Sequence, residues 1–191
     1  MPTLYSYVVD HDLGNAPCAE GKWCTLVNCK FSRDGRVKNI VERAKVGDWI
    51  VGTGGRSKKS SGHGTIIYVM EVSKVMSREE YFHEKQFRDR TDYPKAVPQL
   101  DSSRKLQRRA LIADKFVYFG HKAVPIPAQW MEPGQRLEKR GPRHRTFTGT
   151  FVDEFVLWFS KLEQRGIIGQ PCGKLNENCP SSCDQTEHQE L

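Results

Sequence analysis

The sequence contains no apolar run that is long enough to span a bilayer. The two longest runs, TIIYVM and FVLWF, are six and five residues long, whereas a membrane helix needs about 20. The N-terminal stretch MPTLYSYVVDHD has neither a basic start nor an apolar segment that ends in small residues, so it does not indicate a secretory signal. We therefore expect an intracellular protein that has no membrane partner.

Paired cysteines are also missing, because none of the six cysteines belongs to a C-x-x-C motif. In an intracellular chain, we expect such cysteines to be reduced thiols. The last three, together with a histidine, read C-x6-C-x3-C-x4-H, which has the ligand types of a zinc site but no common zinc-finger spacing. We predict no cofactor, with structural zinc as the alternative to a frayed tail; the residues concerned are Cys172, Cys179, Cys183 and His188.

The stretch at residues 45–64, KVGDWIVGTGGRSKKSSGHG, resembles a phosphate-binding loop but lacks both phosphate-loop signatures. A Walker loop needs a glycine directly before the lysine, and no glycine precedes Lys58. The dinucleotide fingerprint fails as well, because the pattern G-x-G-x-x-S is followed by another strand. The stretch therefore predicts a long β-hairpin with a mobile basic tip. Hydrolase elbows, zinc-protease helices and deaminase signatures are not visible either.

Positive charge is concentrated rather than spread over the chain. The chain has 30 Lys and Arg against 23 Asp and Glu, a net charge of +7. Residues 104–109 (RKLQRR) and 136–145 (RLEKRGPRHR) each carry +4, so the rest of the chain is close to neutral. Clustered positive charge suits a polyanion, which predicts nucleic acid or a nucleotide as the partner. The alternative is two solvated basic loops.

The spacing of apolar residues indicates one α+β domain. Strands are expected at residues 3–10, 23–30, 48–54, 64–75 and 111–120. Helices are expected at 36–44, at 76–87 with a capping box of Ser77 and Glu80, and from Thr150, where Asp153 would bond the cap and Gly166 would end the helix. Residues 89–109 are expected to form an exposed connection.

These elements predict a strongly bent mixed sheet or a small open β-barrel with flanking helices. We expect a single domain over residues 1–168 and a flexible, cysteine-containing tail over 169–191.

Several stretches taken together resemble a known family. In order they are DHDLGNAP followed by WCTLVNCK, KVGDWIVGTGG, FVYFG with the IP of VPIP, and GPRHR before the last helix. They are similar to the second family of nucleotide-modification-associated domains, and the resemblance covers roughly residues 3–162. It implies an α+β domain of bacteria and phages that is encoded beside DNA- or nucleotide-modification genes.

A looser architectural resemblance links residues 40–87 to PUA-like barrels, including the EVE, YTH and ASCH domains. In the EVE and YTH domains a Gly-Asp pair opens a strand that lines the pocket for a modified base, and Gly47, Asp48 and Trp49 occupy that position here. The later basic motif of the family reads Gly-Arg-Gly-His, whereas this chain has proline at position 142, which removes one amide donor.

Five residues are candidate contacts for a base or another ligand. Trp49, aided by Trp23 or Tyr118, is suited to stacking on an unstacked base, and the alternative for each of these rings is a place in the core. Asp48 is either an acceptor for a base edge or a turn carboxylate. His121 follows the FVYFG strand and completes the set.

Candidates for phosphate binding and for acid–base chemistry overlap. Guanidinium groups match phosphate oxygens, which favours Arg143 and Arg145 with His144 between them, and Lys59 at the hairpin tip. Acid–base or metal chemistry would instead use a group of carboxylates and imidazoles, with a solvated loop as the alternative for its first three members. That group is Asp10, His11, Asp12, Asp48 and His144.

The leading hypothesis is a module that binds nucleic acid or a nucleotide and recognises a modified or unstacked base. It expects Trp49 and the Arg143–Arg145 group to meet around one hollow. The alternative is an enzyme that acts on nucleotides or DNA bases, which requires its carboxylates and imidazoles to converge. A third possibility is a component that binds other modification or defence proteins.

Overall fold

The computed structural model describes residues 1–27, 39–92, 109–141 and 143–174. Within them lie eleven strands and three α-helices. The strands are β1 (Leu4–Val9), β2 (Cys18–Glu20), β3 (Trp23–Leu26), β4 (Trp49–Gly54), β5 (Thr65–Glu71), β6 (Lys74–Ser77), β7 (Arg109–Ala113), β8 (Lys115–Tyr118), β9 (Val124–Pro125), β10 (His144–Phe147) and β11 (Gly166–Ile167). The helices are α1 (Ile40–Arg43), α2 (Arg78–His83) and α3 (Thr150–Lys161).

The strands form two sheets. The large sheet has the order β10-β1-β4-β5-β8-β11, with β9 also paired to β5, and the small sheet has the order β2-β3-β7-β6. The large sheet is mixed, since β1 runs parallel to β4 and β8 parallel to β11 while its other pairs are antiparallel. Neither sheet closes on itself within the described residues. The α+β class with a bent mixed sheet is confirmed, and the likeness to PUA-like barrels stays a prediction.

Both faces of the large sheet are covered, which is why its central strands are buried along their length. One face packs on α3 through Leu4, Trp49 and Phe155. The other face presents Tyr7 and Tyr68 to a core that it shares with the small sheet. The phenolic oxygens of these two tyrosines lie 2.8 Å apart and form a hydrogen bond inside this core.

Both α2 and α3 (Thr150–Lys161) begin where they were predicted, but only the predicted cap of α2 is present. Ser77 accepts a hydrogen bond from the Glu80 amide, and the Glu80 carboxylate accepts one from the Ser77 amide, so the predicted capping box is confirmed. The predicted cap of α3 is wrong, because the helix follows Gly149 and Asp153 makes no capping hydrogen bond. The helix ends at Lys161, and Gly166 lies in β11 instead of at the helix end.

Each of two stretches that were predicted as single strands forms two strands, one in each sheet. The stretch 64–75 breaks after Glu71, so β5 lies in the large sheet and β6 in the small one. The stretch 111–120 breaks at Asp114 in the same way, between β7 and β8. A continuous apolar pattern marks strand character but does not show where the chain crosses between sheets.

The connection that was expected to be exposed begins with buried charged residues. Arg90 and Asp92 are 8% and 1% exposed. The Arg90 guanidinium donates to the carbonyl oxygens of Cys18, Glu20 and Trp23, and the Asp92 carboxylate accepts from Tyr81 Oη. The expectation of exposure is wrong for these two residues, and residues 93–108, with most of the basic segment 104–109, lie outside the described residues.

The first residues of the predicted tail pack on the domain. The His121 amide donates to the carbonyl oxygen of Gln170, and the amide of the buried Cys172 donates to Asp12 Oδ2. Residues 175–191 lie outside the described residues. Across the part of the chain that the structure describes, no helix combines the length and the apolarity that crossing a bilayer requires.

Candidate functional site

The glycine-rich hairpin connection, residues 55–64, is folded back on the sheet. A Cβ atom at Gly54 would overlap the carbonyl oxygen of Gly62, so the two sides of the hairpin approach as closely as only glycine allows. The Gly55 amide donates to Ser60 Oγ at 2.8 Å, and Ser60 Oγ donates to the carbonyl oxygen of Val9 at 2.6 Å. These bonds attach the connection to the C-terminal end of β1.

The segment after β1 holds the hairpin tip in place. Asp10 Oδ1 accepts a hydrogen bond from the Ser57 amide at 3.1 Å, and the Asp12 amide donates to the carbonyl oxygen of Lys59 at 2.8 Å. The expected mobile tip is therefore wrong: the tip is docked. Its cationic side chains remain exposed, namely Arg56, Lys58 and Lys59.

A buried carboxylate joins this hairpin to the basic segment 136–145. Glu138, whose side chain is 0% exposed, accepts hydrogen bonds from His63 Nδ1 at 2.9 Å and from the Gly64 amide at 3.0 Å. Its second oxygen accepts from Arg140 Nε at 3.2 Å. Burial alone would raise the pKa of Glu138, but the hydrogen bonds from Gly64 and Arg140 outweigh it, so the pKa lies below its ordinary value.

The rest of the segment 136–145 also reaches the end of β1. His144 and Arg145 belong to β10, where His144 pairs with Tyr7 and Arg145 with Ser6, so these positions form a strand and not the solvated loop that was the alternative. Arg143 lies just before this strand, is exposed, and has a φ of 74°, a left-handed conformation that is uncommon outside glycine. The hairpin connection 55–64 and the segment 136–145, which are called the two basic segments from here on, thus flank the C-terminal end of β1 from either side.

We call the exposed surface formed there the basic face. The nearby counter-charges are Asp10, which follows β1, and Glu138, and both accept hydrogen bonds from the basic segments. The cations of the basic face are Arg56, Lys58, Lys59, Arg140 and Arg143.

Trp49 does not belong to the basic face. Its side chain is buried at 2% exposure and packs on Phe155 and Phe159 of α3. Trp49 begins β4 and the hairpin follows the end of that strand, so the indole and the hairpin are separated by about 17 Å along the strand. The expected aromatic wall is therefore wrong for Trp49, because the indole is part of the core.

Trp49 and His144 also project from opposite faces of the large sheet. Leu4 pairs with both Trp49 and Phe147, so these three side chains share the face that α3 covers. His144 is three positions from Phe147, and since side chains alternate along a strand it projects from the other face. Its imidazole contacts Tyr5 there, with ring centroids 5.7 Å apart. The structure does not bring the predicted indole and imidazole together.

A shallow groove of about 440 Å³ lies at the Trp49 end of the sheet. Glu71, Asp153 and Lys115 contribute its charges, and the Lys115 ammonium is paired with Glu71 at 2.6 Å. Two carboxylates and one ammonium give this groove the wrong sign of charge for a polyanion.

The other predicted base contacts have structural partners. Asp48 accepts from the amides of Thr3 and Lys45 at 2.9 and 2.8 Å, which is the turn-carboxylate alternative. His121 Nδ1 accepts from the Gln170 amide at 2.9 Å. Trp23 lies in the small sheet and packs edge to face on Phe87.

Tyr118 and Asp12 form a buried pair. Tyr118 Oη donates to Asp12 Oδ1 at 2.6 Å, and Asp12 is 1% exposed. Burial, and next the charge of Asp12, raise the pKa of Tyr118. The pair anchors the segment that docks the hairpin, and neither side chain reaches the surface.

The five residues proposed for acid–base chemistry do not converge. Asp48 precedes β4 and Asp10 follows β1, and because these strands are parallel and paired in register, the two carboxylates lie at opposite ends of the sheet. His11 is exposed, with Nδ1 3.8 Å from Asp10 Oδ2. Direct proton exchange requires side chains within hydrogen-bond distance, and the length of the strands separates the two ends of this set by more than that.

Cys172 is the one member of the predicted zinc set that the structure describes, since Cys179, Cys183 and His188 lie outside the described residues. No group of three or more metal-binding side chains occurs among the residues described.

The sequence matches the family model of nucleotide modification associated domain 2 over residues 1–106 and 94–178. The chain belongs to this family. The family description associates its members with nucleotide modification. No curated protein and no solved structure matches the chain.

Two residues of this site were not predicted from the sequence. His63 and Glu138 are 75 positions apart, and neither lies in a recognisable motif. The one available signal was the histidine between two glycines in SGHG, because the neighbouring glycines have no side chains that could cover the imidazole.

Proposed function

We propose that this domain binds a nucleotide or nucleic acid through the basic face, in the context of nucleotide modification, and contacts a modified or unstacked base beside it. The observation that carries the proposal is the meeting of the two basic segments at the C-terminal end of β1, where Glu138 links them. Clustered cations raise the local concentration of polyanions far more than the same charges spread over a surface.

The chemical groups of the basic face are suited to a phosphate ligand. Arg140 and Arg143 contribute planar guanidinium groups, which match phosphate oxygens in pairs, and Lys58 and Lys59 contribute compact ammonium charges. The hairpin connection is held by hydrogen bonds to Val9 and Asp10, so a ligand does not have to order this loop. A preorganised site loses less conformational entropy when it binds.

Titration of a labelled single-stranded oligonucleotide tests the proposal. We expect binding at about 50 mM salt that weakens strongly at about 200 mM, because phosphate contacts release counterions. Lys58→Gln/Lys59→Gln should weaken binding, whereas Lys74→Gln, which removes an exposed cation from the small sheet, should not.

Oligonucleotides with modified and unmodified bases separate base recognition from phosphate binding. A preference for one modified base supports the finer part of the proposal, and equal affinity for all of them restricts the function to phosphate binding. Absence of binding at low salt refutes the proposal.

A further inference from the structure

The His63 imidazole is the one ring on the hairpin connection that is oriented by a buried carboxylate. Glu138 Oε1 contacts Nδ1 at 2.9 Å. The Glu138 carboxylate has no proton to donate when it is charged, so the hydrogen in this bond belongs to Nδ1. In the neutral imidazole the proton on Nδ1 leaves Nε2 as a hydrogen-bond acceptor.

Nε2 is buried, and no residue that the structure describes makes a hydrogen bond to it. The ring itself is at the edge of the surface, with 30% of the side chain exposed. An unsatisfied buried acceptor lowers stability, and in native proteins such an atom calls for an explanation, such as a functional role or a bound water or ion.

The neighbourhood of His63 shows which ligand it would meet. The imidazole lies on the same connection as Lys58 and Lys59, and Glu138 binds both the imidazole and Arg140. A phosphate held by these cations would bring a sugar or a base next to the ring. Both carry neutral donors: the sugar a hydroxyl group, and the base an exocyclic amine.

We infer that His63, oriented by Glu138, accepts a hydrogen bond at Nε2 from a hydroxyl or amino group of a nucleotide whose phosphates lie on the basic face. This inference rests on the proposed function and adds a neutral, directional contact to it. A phosphate surface alone attracts any polyanion, so the His63 contact supplies selectivity for the nucleoside part of the ligand.

Two substitutions separate the two ring nitrogens. In His63→Asn the side-chain amide nitrogen is as many bonds from the backbone as Nδ1, so the bond to Glu138 can be kept while Nε2 is removed. In His63→Gln the amide group reaches as far as Nε2 and retains an acceptor there. The matched control is His83→Asn, since His83 is exposed at the end of α2.

Three labelled probes identify the donor: an RNA, a DNA of the same sequence, and an abasic DNA that has phosphates but neither bases nor 2′-hydroxyl groups. We expect His63→Asn to weaken binding about three- to ten-fold, as for loss of one hydrogen bond, wherever the donor is present. A loss with RNA alone identifies the 2′-hydroxyl group, and a loss with both RNA and DNA identifies the base. Affinity for the abasic probe should not change.

Wild-type affinity of His63→Asn for the RNA and DNA probes overturns the inference, and the proposed function then stands if binding still depends on salt and on Lys58 and Lys59. An equal loss with all three probes also overturns it, because the contact is then not with a nucleoside donor. If the wild-type protein binds none of the probes at low salt, the proposed function and the inference both fail. Urea unfolding of each variant verifies that it is folded.

Discussion

The indole of Trp49 packs edge to face on Phe159, with ring centroids 4.8 Å apart and planes inclined at 67°. The Trp49 side chain is only 2% exposed, so a nucleotide base has no room to stack on it. We therefore predict that Trp49→Phe lowers the free energy of unfolding by about 1–3 kcal/mol, through partial loss of packing. Its affinity for an oligonucleotide should equal that of the wild-type protein.

Urea unfolding and oligonucleotide titration of the same Trp49→Phe preparation test both parts of this prediction. A folded variant that has lost most of its binding would restore Trp49 as a ligand contact. Phe159→Leu is the matched control, because it disturbs the same packing from the helix side.

Arg90 holds the β2–β3 hairpin of the small sheet. Its guanidinium donates to the carbonyl oxygens of Cys18, Glu20 and Trp23 and lies 3.8 Å from Asp92. Arg90→Leu would leave a buried carboxylate without its cation, so we expect a loss of about 3–5 kcal/mol in the free energy of unfolding.

Chemical denaturation measures the effect of Arg90→Leu, with Arg88→Leu as the control. Arg88 is exposed, and its substitution should change stability by no more than about 0.5 kcal/mol. Equal effects of the two substitutions would mean that Arg90 is not part of a buried network.

The contribution of Glu138 to stability depends on pH. Because its folded-state pKa lies below the ordinary value of 4.5, its stabilising contribution is complete above that pH and is lost as the pH falls through the folded-state pKa. Glu138→Gln has no such group, so the stability difference between wild type and variant should shrink as the pH falls below 4.5.

Urea unfolding at a series of pH values measures this difference. Glu80, whose pKa is also lowered, and Asp92, whose pKa is raised, are present in both proteins and cancel in the comparison. Making both measurements in a His63→Asn background removes the imidazole that faces Glu138 and leaves Arg140 as its charged neighbour. A stability difference that does not change with pH would contradict the assignment of Glu138 as a charged acceptor.

The left-handed conformation of Arg143 separates its role in binding from its effect on stability. A non-glycine residue in this region costs about 1–2 kcal/mol, and glycine relieves that cost but adds entropy to the unfolded chain. We predict that Arg143→Gly raises the free energy of unfolding by about 0.5 kcal/mol, whereas Arg143→Ala retains the strained backbone and gives no gain.

Both Arg143 variants should bind oligonucleotides more weakly, because both lack the guanidinium group. Paired unfolding and binding measurements test this. Unchanged binding in both variants would remove Arg143 from the basic face.

The sequence predicted the elements that depend on local signals. The capping box at Ser77 and the strand character of β1, β4 and β5 follow from residues that are neighbours in the chain. The position of Trp49 relative to His144 was not predictable in this way, because it depends on the register between β1 and β10.

The long-range polar contacts could not be predicted from the sequence for the same reason. The His63–Glu138 bond spans 75 positions and the bonds of Arg90 to the β2–β3 hairpin span 67 to 72. Burial of these charges follows from tertiary packing, whereas composition places charged residues at the surface.

The salt dependence of oligonucleotide binding tests most directly whether the two basic segments form one surface. The slope of log affinity against log salt reports the number of phosphates that are neutralised, at about 0.7 per contact for a single strand. Lys58→Gln/Lys59→Gln and Arg140→Gln/Arg143→Gln should each lower its magnitude by up to about 1.4, the combined variant should lower it further, and Lys74→Gln should leave it unchanged. An unchanged slope in the combined variant, or an equal loss in Lys74→Gln, would contradict a binding surface at the end of β1.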